Sequence, residues 1–296
     1  MLNRIFSILS SQWLIHEDTA LSYLPILISF IKGQEILLKA DENKKPYIVA
    51  WSVADQSVNT VSNSWEIADT EIPENSVAVI PLSGVICSWD SLWLMTLLQR
   101  VKANDRINAV ILVTNSPGGM VQGTDILASA IKDLGKPVVA LIMGMACSAA
   151  MWAISGASYR IASSPIDSIG SIGTKTSIQD YTVLLEKNGI KIMDIYATLS
   201  TRKDEEVRAL LATPSNPKPM QDYIDFVNEV FHQAIRDNMG IAANSEVFTG
   251  AAFFAQKAKD LGLIDEINTM DYALNYAYKL GLKNKINSQF KQLKFN

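Results

Sequence analysis

Apolar runs and amphipathic segments alternate through the middle of the chain. Continuous apolar runs at residues 77–80, 109–113 and 137–143 predict buried strands. Residues 90–102 and 123–134 carry apolar side chains at helical spacing, which predicts helices between these strands. Strands that alternate with helices of this length are typical of an α/β fold, in which helices pack outside a largely parallel sheet. We therefore expect such a fold over this part of the chain.

The C-terminal half is richer in helices. A strand is predicted at residues 190–196, directly after an Asn-Gly pair that favours the end of a helix. Residues 283–296 are polar and basic, so we expect them to form a frayed tail. The helices predicted here span residues 148–157, 178–187, 203–211, 220–238, 251–260 and 270–280.

The first 75 residues show no clear alternation of strands and helices. A polar stretch at residues 54–74 predicts a boundary near Glu74. We therefore expect an N-terminal segment over residues 1–75, a main domain over residues 76–282 and the tail over residues 283–296. The N-terminal segment is expected to be helical or irregular, with a helical part at residues 13–31. It would contact a partner subunit or be removed on maturation.

An apolar run at residues 21–31 is a candidate targeting or membrane segment. Glu17 and Asp18 precede it, whereas a signal peptide carries positive charge at that place. The run is also too short to span a bilayer, and it contains Pro25. The sequence therefore predicts a cytoplasmic protein, with membrane association as the alternative.

Composition narrows the classes of function. The chain has 296 residues, of which 48% are hydrophobic, enough for one large domain with a smaller part. Its net charge of −4 and the lack of a basic patch argue against nucleic acid as a partner. The two cysteines, Cys87 and Cys147, are far apart and lack the spacing of metal ligands. We expect no metal and no cofactor.

Ser148 is the residue that carries the most chemical information. It lies among small residues just after the apolar run at 137–143, where a helix is predicted to begin. A hydroxyl at a helix N-terminus lies at the positive end of the helix dipole, which favours negative charge that develops nearby. The alternative is that Ser148 only caps this helix. Cys147 is a second candidate nucleophile, although a small buried side chain is the favoured interpretation of that cysteine.

The other candidate residues in the sequence, taken together with Ser148, indicate a hydrolase that uses lysine as its base. Residues 115–119, Asn-Ser-Pro-Gly-Gly, form a turn whose backbone N–H groups can stabilise an oxyanion. Ser171 and Lys203 follow downstream. The two histidines, His16 and His232, lie in a polar patch and in a predicted helix, so a Ser-His-Asp triad is the less favoured alternative.

A lysine can act as a base only when its environment lowers its pKa. Arg202 beside Lys203 would disfavour a second positive charge if both side chains pointed inward. The acidic residues 204–206 follow directly. The alternative for Lys203 is therefore a solvated lysine at the start of a helix.

Five motifs together resemble the S49 peptidases, which include signal peptide peptidase A and the capsid assembly proteases of phages. They agree in order and spacing over roughly residues 76–270, although each alone is weak. The resemblance implies a ClpP/crotonase-like spiral of ββα units with additional C-terminal helices. The motifs are Asn-Ser-Pro-Gly-Gly at 115–119, Ala-Cys-Ser-Ala-Ala-Met-Trp at 146–152, Gly-Ser-Ile-Gly at 170–173, Phe-Thr-Gly at 248–250 and Gly-Leu-Ile-Asp at 262–265.

The resemblance also implies roles for residues. Ser148 corresponds to the nucleophile and Lys203 to the general base, and Ser171 corresponds to a serine that hydrogen-bonds the lysine. Gly119 corresponds to the glycine whose N–H binds the oxyanion, and Gly118 shapes the same turn. Lys175 and Lys191 are rival lysines.

The implied function is that of a serine endopeptidase in the maturation of phage heads. Its partners would be a protein or peptide substrate, further copies of the chain, and phage scaffold, capsid or portal proteins. It would then work in the host cytoplasm or the procapsid. The alternatives are a bacterial peptidase that degrades signal peptides, an acyl-CoA hydratase or isomerase, and an inert assembly scaffold on the same fold.

Overall fold

The computed structural model describes residues 13–15, 47–51, 58–62 and 72–294, except residues 179, 181, 188, 190, 192 and 213. The chain divides into two compact units. The larger unit takes the chain up to Gly173 and again from Phe231, and the smaller unit is Thr174–Val230.

The larger unit contains all the strands found in the described ranges. Nine of them form one sheet, whose main path runs β10-β9-β7-β5-β4-β2-β3, while β8 pairs with β7 and β11, and β1 and β6 pair separately. The strands are β1 (Trp13–Ile15), β2 (Tyr47–Trp51), β3 (Val58–Ser62), β4 (Ser76–Ser83), β5 (Ile107–Ser116), β6 (Gly118–Met120), β7 (Val138–Cys147), β8 (Tyr159–Ala162), β9 (Ser168–Gly170), β10 (Ala252–Phe254) and β11 (Glu266–Ile267).

The helices follow the same chain order. A short 3₁₀ helix at Glu246–Thr249 lies between α6 and β10. The α-helices are α1 (Ser88–Ala103), α2 (Thr124–Lys132), α3 (Ala149–Ser155), α4 (Thr182–Lys187), α5 (Glu205–Leu211), α6 (Lys218–Met239), α7 (Ala255–Asp260) and α8 (Met270–Lys294).

The centre of the sheet is parallel and covered on both faces. β4, β5 and β7 pair in parallel, and β7 continues in parallel to β8 and β9. Alternate residues of the three central strands enter two different apolar clusters, which α1, α2 and α3 complete on one face and α8 on the other. A parallel sheet that is buried on both faces requires strands with continuous apolar runs, which is the pattern of these segments. The α/β fold with additional C-terminal helices is therefore confirmed.

The N-terminal part differs from the prediction of a helical segment. Residues 13–15 form a strand, and residues 16–31 lie outside the described residues. β2 and β3 are antiparallel strands that extend the sheet beyond β4. Trp, Ile, Tyr and Val favour extended backbone. Pairing with β4 and β6, which no local pattern of the first 75 residues reveals, decides the conformation of these strands.

Two predicted elements after the sheet also differ. The predicted strand at 190–196 was wrong for the residues the structure describes there, 191 and 193–196, which form no strand. Met193 and Ile195 are highly exposed, so their apolar character does not reflect burial. α8 continues through the segment that was predicted as a frayed tail, because no proline interrupts it and the Asn284 side chain bonds the Gly135 carbonyl.

Among the described residues, no helix combines the length and the apolar character that crossing a membrane requires.

Candidate active site

Ser148 lies where β7 ends and α3 begins. Its backbone has φ 57° and ψ −119°, a conformation that residues with a side chain rarely adopt. Two backbone bonds hold it: its N–H donates to the Gly170 carbonyl at 2.8 Å, and its carbonyl accepts from the Trp152 N–H at 2.9 Å. The residue is only 1% exposed. Strain of this kind persists only where the surroundings enforce it, and it is concentrated at functional sites.

Ser171 follows the residue that bonds Ser148. β7 and β9 pair in register so that Cys147 lies opposite Gly170, and Ser171 comes next along the chain. The Ser171 N–H donates to the Ala251 carbonyl at 2.7 Å, and Ser171 itself has a φ of 50°. The larger unit thus brings the backbones of Ser148 and Ser171 close together.

Gly118 and Gly119 form the start of β6, which directly follows β5. The Gly118 N–H donates to the Ser116 hydroxyl at 3.2 Å, and that hydroxyl donates to the Gly84 carbonyl at 2.6 Å. Gly119 lies so close to Ile86 that an added Cβ would come within 2.0 Å of the Ile86 carbonyl oxygen. Glycine at 119 is therefore required by close packing of the two backbones.

The bonds to Ile86 set the direction of the Gly119 N–H. Ile86 donates to the Gly118 carbonyl at 2.9 Å and accepts from the Met120 N–H at 2.8 Å. Successive residues of a strand turn their N–H and C=O groups to opposite edges. The Gly119 N–H and carbonyl therefore point away from Ile86. The Ser148 N–H is bonded to the Gly170 carbonyl, whereas the Gly119 N–H faces the edge of β6 along which β1 pairs.

Cys147 is held inside the fold and kept neutral. It is fully buried, its Sγ lies 3.6 Å from the Ser168 carbonyl oxygen, and burial raises the pKa of the thiol to about 11. Because the thiolate is the nucleophilic form, a thiol with this pKa is unreactive at neutral pH. Cys147 is therefore the small buried side chain that the sequence favours.

Lys203 lies in the smaller unit, whereas Ser148, Ser171, Gly118 and Gly119 lie in the larger one. Its side chain is exposed, and its backbone N–H donates to the Ser200 carbonyl at 3.2 Å, just before α5. The rival lysines belong to the same unit, where Lys175 is half-buried and Lys191 is exposed.

The histidines have other surroundings. His232 is half-buried on α6, where its ring lies 4.8 Å from the ring of Phe248. His16 lies outside the described residues. Within the described part of the chain, no group of three or more His, Cys, Asp or Glu side chains is placed to hold a metal ion.

Asp167 supports the site and was missed by sequence reasoning. Its buried carboxylate accepts from the Gly144 N–H at 2.8 Å, the Ser164 N–H at 2.9 Å and the Ser163 hydroxyl at 3.2 Å. It thereby ties the loop before β9 to the end of β7 that carries Ser148. Its position after a Ser-Ser-Pro turn is the signal that could have revealed it, because aspartates in turns accept from nearby N–H groups.

Two of the five motifs have structural roles. Gly250 ends the 3₁₀ helix with a φ of 82° and precedes Ala251, whose carbonyl holds Ser171. Asp265 accepts from the Arg160 backbone at 2.7 Å and forms an ion pair with its side chain at 3.1 Å. These motifs therefore fix the loop and strand that surround the site.

Comparison with known proteins shows the family of the chain. The model of peptidase family S49 matches residues 130–283, which include Ser148, Ser171 and Lys203. The chain belongs to peptidase family S49.

Individual relatives span phages and bacteria. Capsid assembly protease C of Escherichia phage lambda is 30% identical over 67% of this chain and 48% of its own length. Head-tail preconnector protein GP5 of Enterobacteria phage P21 is 31% identical over 67% of this chain and 42% of its own length. Protease 4 of Haemophilus influenzae is 25% identical over 83% of this chain and 42% of its own length. The chain thus spans about half the length of these relatives.

Among solved structures, an enoyl-CoA hydratase/isomerase family member aligns with a TM-score of 0.44. It is 18% identical and covers 71% of this chain and 72% of its own.

Proposed function

We propose that the chain is a serine endopeptidase in which Ser148 is the nucleophile and Lys203 is the general base. Ser171 orients the lysine, the Gly119 N–H binds the oxyanion, and Gly118 shapes the turn that presents it. The strained backbone of Ser148 at the end of β7 carries this proposal, because the fold maintains the strain with bonds to Gly170 and Trp152. Membership of the peptidase family supports it.

The reaction has two halves. The Lys203 amine takes the proton of the Ser148 hydroxyl while Oγ bonds the carbonyl carbon of the substrate, and the Gly119 N–H stabilises the oxyanion. The carbon–nitrogen bond then breaks, and the proton passes from Lys203 to the leaving amine. Water hydrolyses the remaining ester, which gives a carboxylate and restores the Ser148 hydroxyl.

Cleavage of an unfolded protein tests these roles. The full chain is incubated with casein, and fragments are followed by mass spectrometry. Ser148→Ala and Lys203→Ala should each lower the rate by on the order of 10⁴-fold, because members of such a unit act together. Lys191→Ala, an exposed lysine of the same unit, is the matched control and should leave the rate unchanged.

Two outcomes would contradict the assignment. Unchanged cleavage by Ser148→Ala would exclude Ser148 as the nucleophile. Loss of activity in Lys191→Ala, with activity retained in Lys203→Ala, would transfer the role of base to the rival lysine.

For the biological substrate we propose a protein of the phage head. The names of the lambda and P21 relatives support a role in capsid assembly, which would place the enzyme in the host cytoplasm or the procapsid. We also propose that it works as a homo-oligomer.

A side-by-side assay with a phage scaffold protein and a synthetic signal peptide tests the proposed substrate. Faster cleavage of the signal peptide would favour the alternative role in signal-peptide degradation.

A further inference from the structure

β1 pairs with the strand that carries the proposed oxyanion donor. The two strands are antiparallel, with Trp13 opposite Met120, Leu14 opposite Gly119 and Ile15 opposite Gly118. They form a two-stranded sheet separate from the nine-stranded sheet. A segment more than 100 residues earlier in the chain therefore lies against the residues of the candidate active site.

β1 lies on the edge of β6 to which the Gly119 N–H points. Ile86 bonds the Gly118 carbonyl and the Met120 N–H, so it occupies the other edge of β6. Gly119 turns its N–H and its carbonyl to the edge where Leu14 lies. An extended peptide whose carbonyl is to be held by the Gly119 N–H must approach along this same edge.

We propose that residues 13–15 are the resident occupant of the peptide-binding edge of β6, where they compete in cis with the substrate. This inference rests on the proposed function, because it assigns regulation to the same site. Addition of a strand to a sheet edge is a general way of binding extended peptides, and its affinity comes from the main chain. Two strands cannot pair with one edge at the same time, so β1 must leave before a substrate binds.

Two further observations support an occupant that can be displaced. β1 has three residues, and β6 is its one strand partner within the described ranges. Its departure therefore leaves the hydrogen bonds of the nine-stranded sheet intact. Ser148 is 1% exposed, so the larger unit must change conformation before a substrate or a reagent reaches its hydroxyl.

A reversible disulfide tests the competition in the full chain. Leu14 and Gly119 turn their N–H and C=O groups toward each other, so they form a hydrogen-bonded pair of the two strands. The neighbouring pair, Trp13 and Met120, is then a non-hydrogen-bonded pair, in which the two Cα atoms lie about 4.5 Å apart. This spacing suits a disulfide. The double variant Trp13→Cys/Met120→Cys is oxidised or reduced, and the rate of fluorophosphonate addition is measured by intact mass. Each single variant serves as the control for the native cysteines.

The oxidised double variant should react on the order of tenfold or more slowly than its reduced form, since the open fraction limits the apparent rate. The single variants should react equally in both states. Failure of the disulfide to form, or equal rates in the two states, would overturn the inference and leave the proposed function standing. A reduced variant and a wild type that both take no adduct would overturn the proposed function and the inference with it.

A second pair of variants does not depend on cross-linking. Leu14→Pro removes the N–H that lies opposite Gly119 and disfavours a paired strand, whereas Leu14→Ala keeps this N–H. Leu14→Pro should therefore be labelled several-fold faster than Leu14→Ala. Equal labelling of the two variants would overturn the inference.

Discussion

The proposed nucleophile, Ser148, is also a residue with a strained backbone conformation. At a φ of 57° and a ψ of −119°, any residue with a Cβ is strained, and such strain amounts to about 1–3 kcal/mol. The sequence pointed to Ser148 through its small neighbours. It could not reveal the strain, which results from the Gly170 and Trp152 bonds that the folded chain makes.

The Ser148→Gly variant should therefore be more stable than the Ser148→Ala variant. Ser148→Gly relieves the backbone strain, whereas Ser148→Ala keeps it. This gain outweighs the cost of the greater conformational freedom of glycine in the unfolded chain. The free energy of unfolding of Ser148→Gly should therefore exceed that of Ser148→Ala by about 1 kcal/mol. The same two substitutions at Ser129, an exposed residue within α2, are the control, and there glycine should be the less stable. Denaturant unfolding measures both differences. Glycine less stable at both positions would contradict the strain.

Cys147 should make stability depend on pH in the alkaline range. The unfolded thiol ionises near its ordinary pKa of 9.0, while the folded thiol keeps its proton up to about 11. The unfolded state therefore loses its proton first, and the free energy of unfolding should fall by about 2 kcal/mol as the pH rises from 9 to 11. The contribution is fully present below pH 9.

Cys147→Ala removes this contribution and is compared with the wild type by urea unfolding at several pH values. The difference in stability between the two proteins should shrink as the pH rises. Parallel pH profiles would contradict the raised pKa of the thiol.

Gly119 should not tolerate a side chain. In Gly119→Ala the new Cβ would come within 2.0 Å of the Ile86 carbonyl oxygen, so β6 must shift, at a cost of about 1–3 kcal/mol. Gly173→Ala is the control, since its nearest atom would lie at 3.3 Å and its φ is not positive. Thermal unfolding should separate the two variants. Equal melting temperatures would show that β6 does not pack on Ile86 as described.

At the scale of elements, the periodicity of the sequence predicted the parallel centre of the sheet and failed where burial is absent. β4, β5 and β7 each contain the apolar run that predicted them, because a strand covered on both faces must be apolar throughout. Met193 and Ile195 carry the same signal, yet they are exposed and form no strand. An apolar run alone cannot show whether a neighbouring strand exists to pair with it.

Packing of α3 against α6 should be a main source of stability in the larger unit. The rings of Trp152 and Phe231 are stacked, with centroids 4.7 Å apart, and both are buried. Phe231→Ala should lower the free energy of unfolding by about 3–5 kcal/mol, since it leaves a cavity beside Trp152.

Phe290→Ala on α8 is the matched control, because Phe290 is 61% exposed and its truncation should change stability by less than about 0.5 kcal/mol. Both variants are compared by denaturant unfolding. A small effect at Phe231 would contradict the packing described.

At the scale of the whole molecule, the organisation of the chain was harder to predict than its elements. The sequence suggested a break near residue 75, whereas β2 and β3 from the first part extend the sheet of the larger unit. In chain order, the smaller unit, Thr174–Val230, falls between two parts of the larger one. Pairings between distant segments determine this organisation, and no local pattern records them.

The same limit applies to the site. Ser148, Ser171, Gly118 and Gly119 were predicted from short motifs, and the larger unit holds all four. Asp167 and Ile86, which position them, act through contacts to the backbone. The turn position of Asp167 is visible in the sequence, whereas the contacts that the Ile86 backbone makes leave little trace there.

The central claim is that Ser148 is an activated nucleophile. The most direct test is the reaction of the full chain with a fluorophosphonate, followed by peptide mapping of the adduct in the wild type, Ser148→Ala and Lys203→Ala. We expect one adduct on Ser148 in the wild type and none in either variant. An adduct on another residue, or one that persists in Ser148→Ala, would contradict the account.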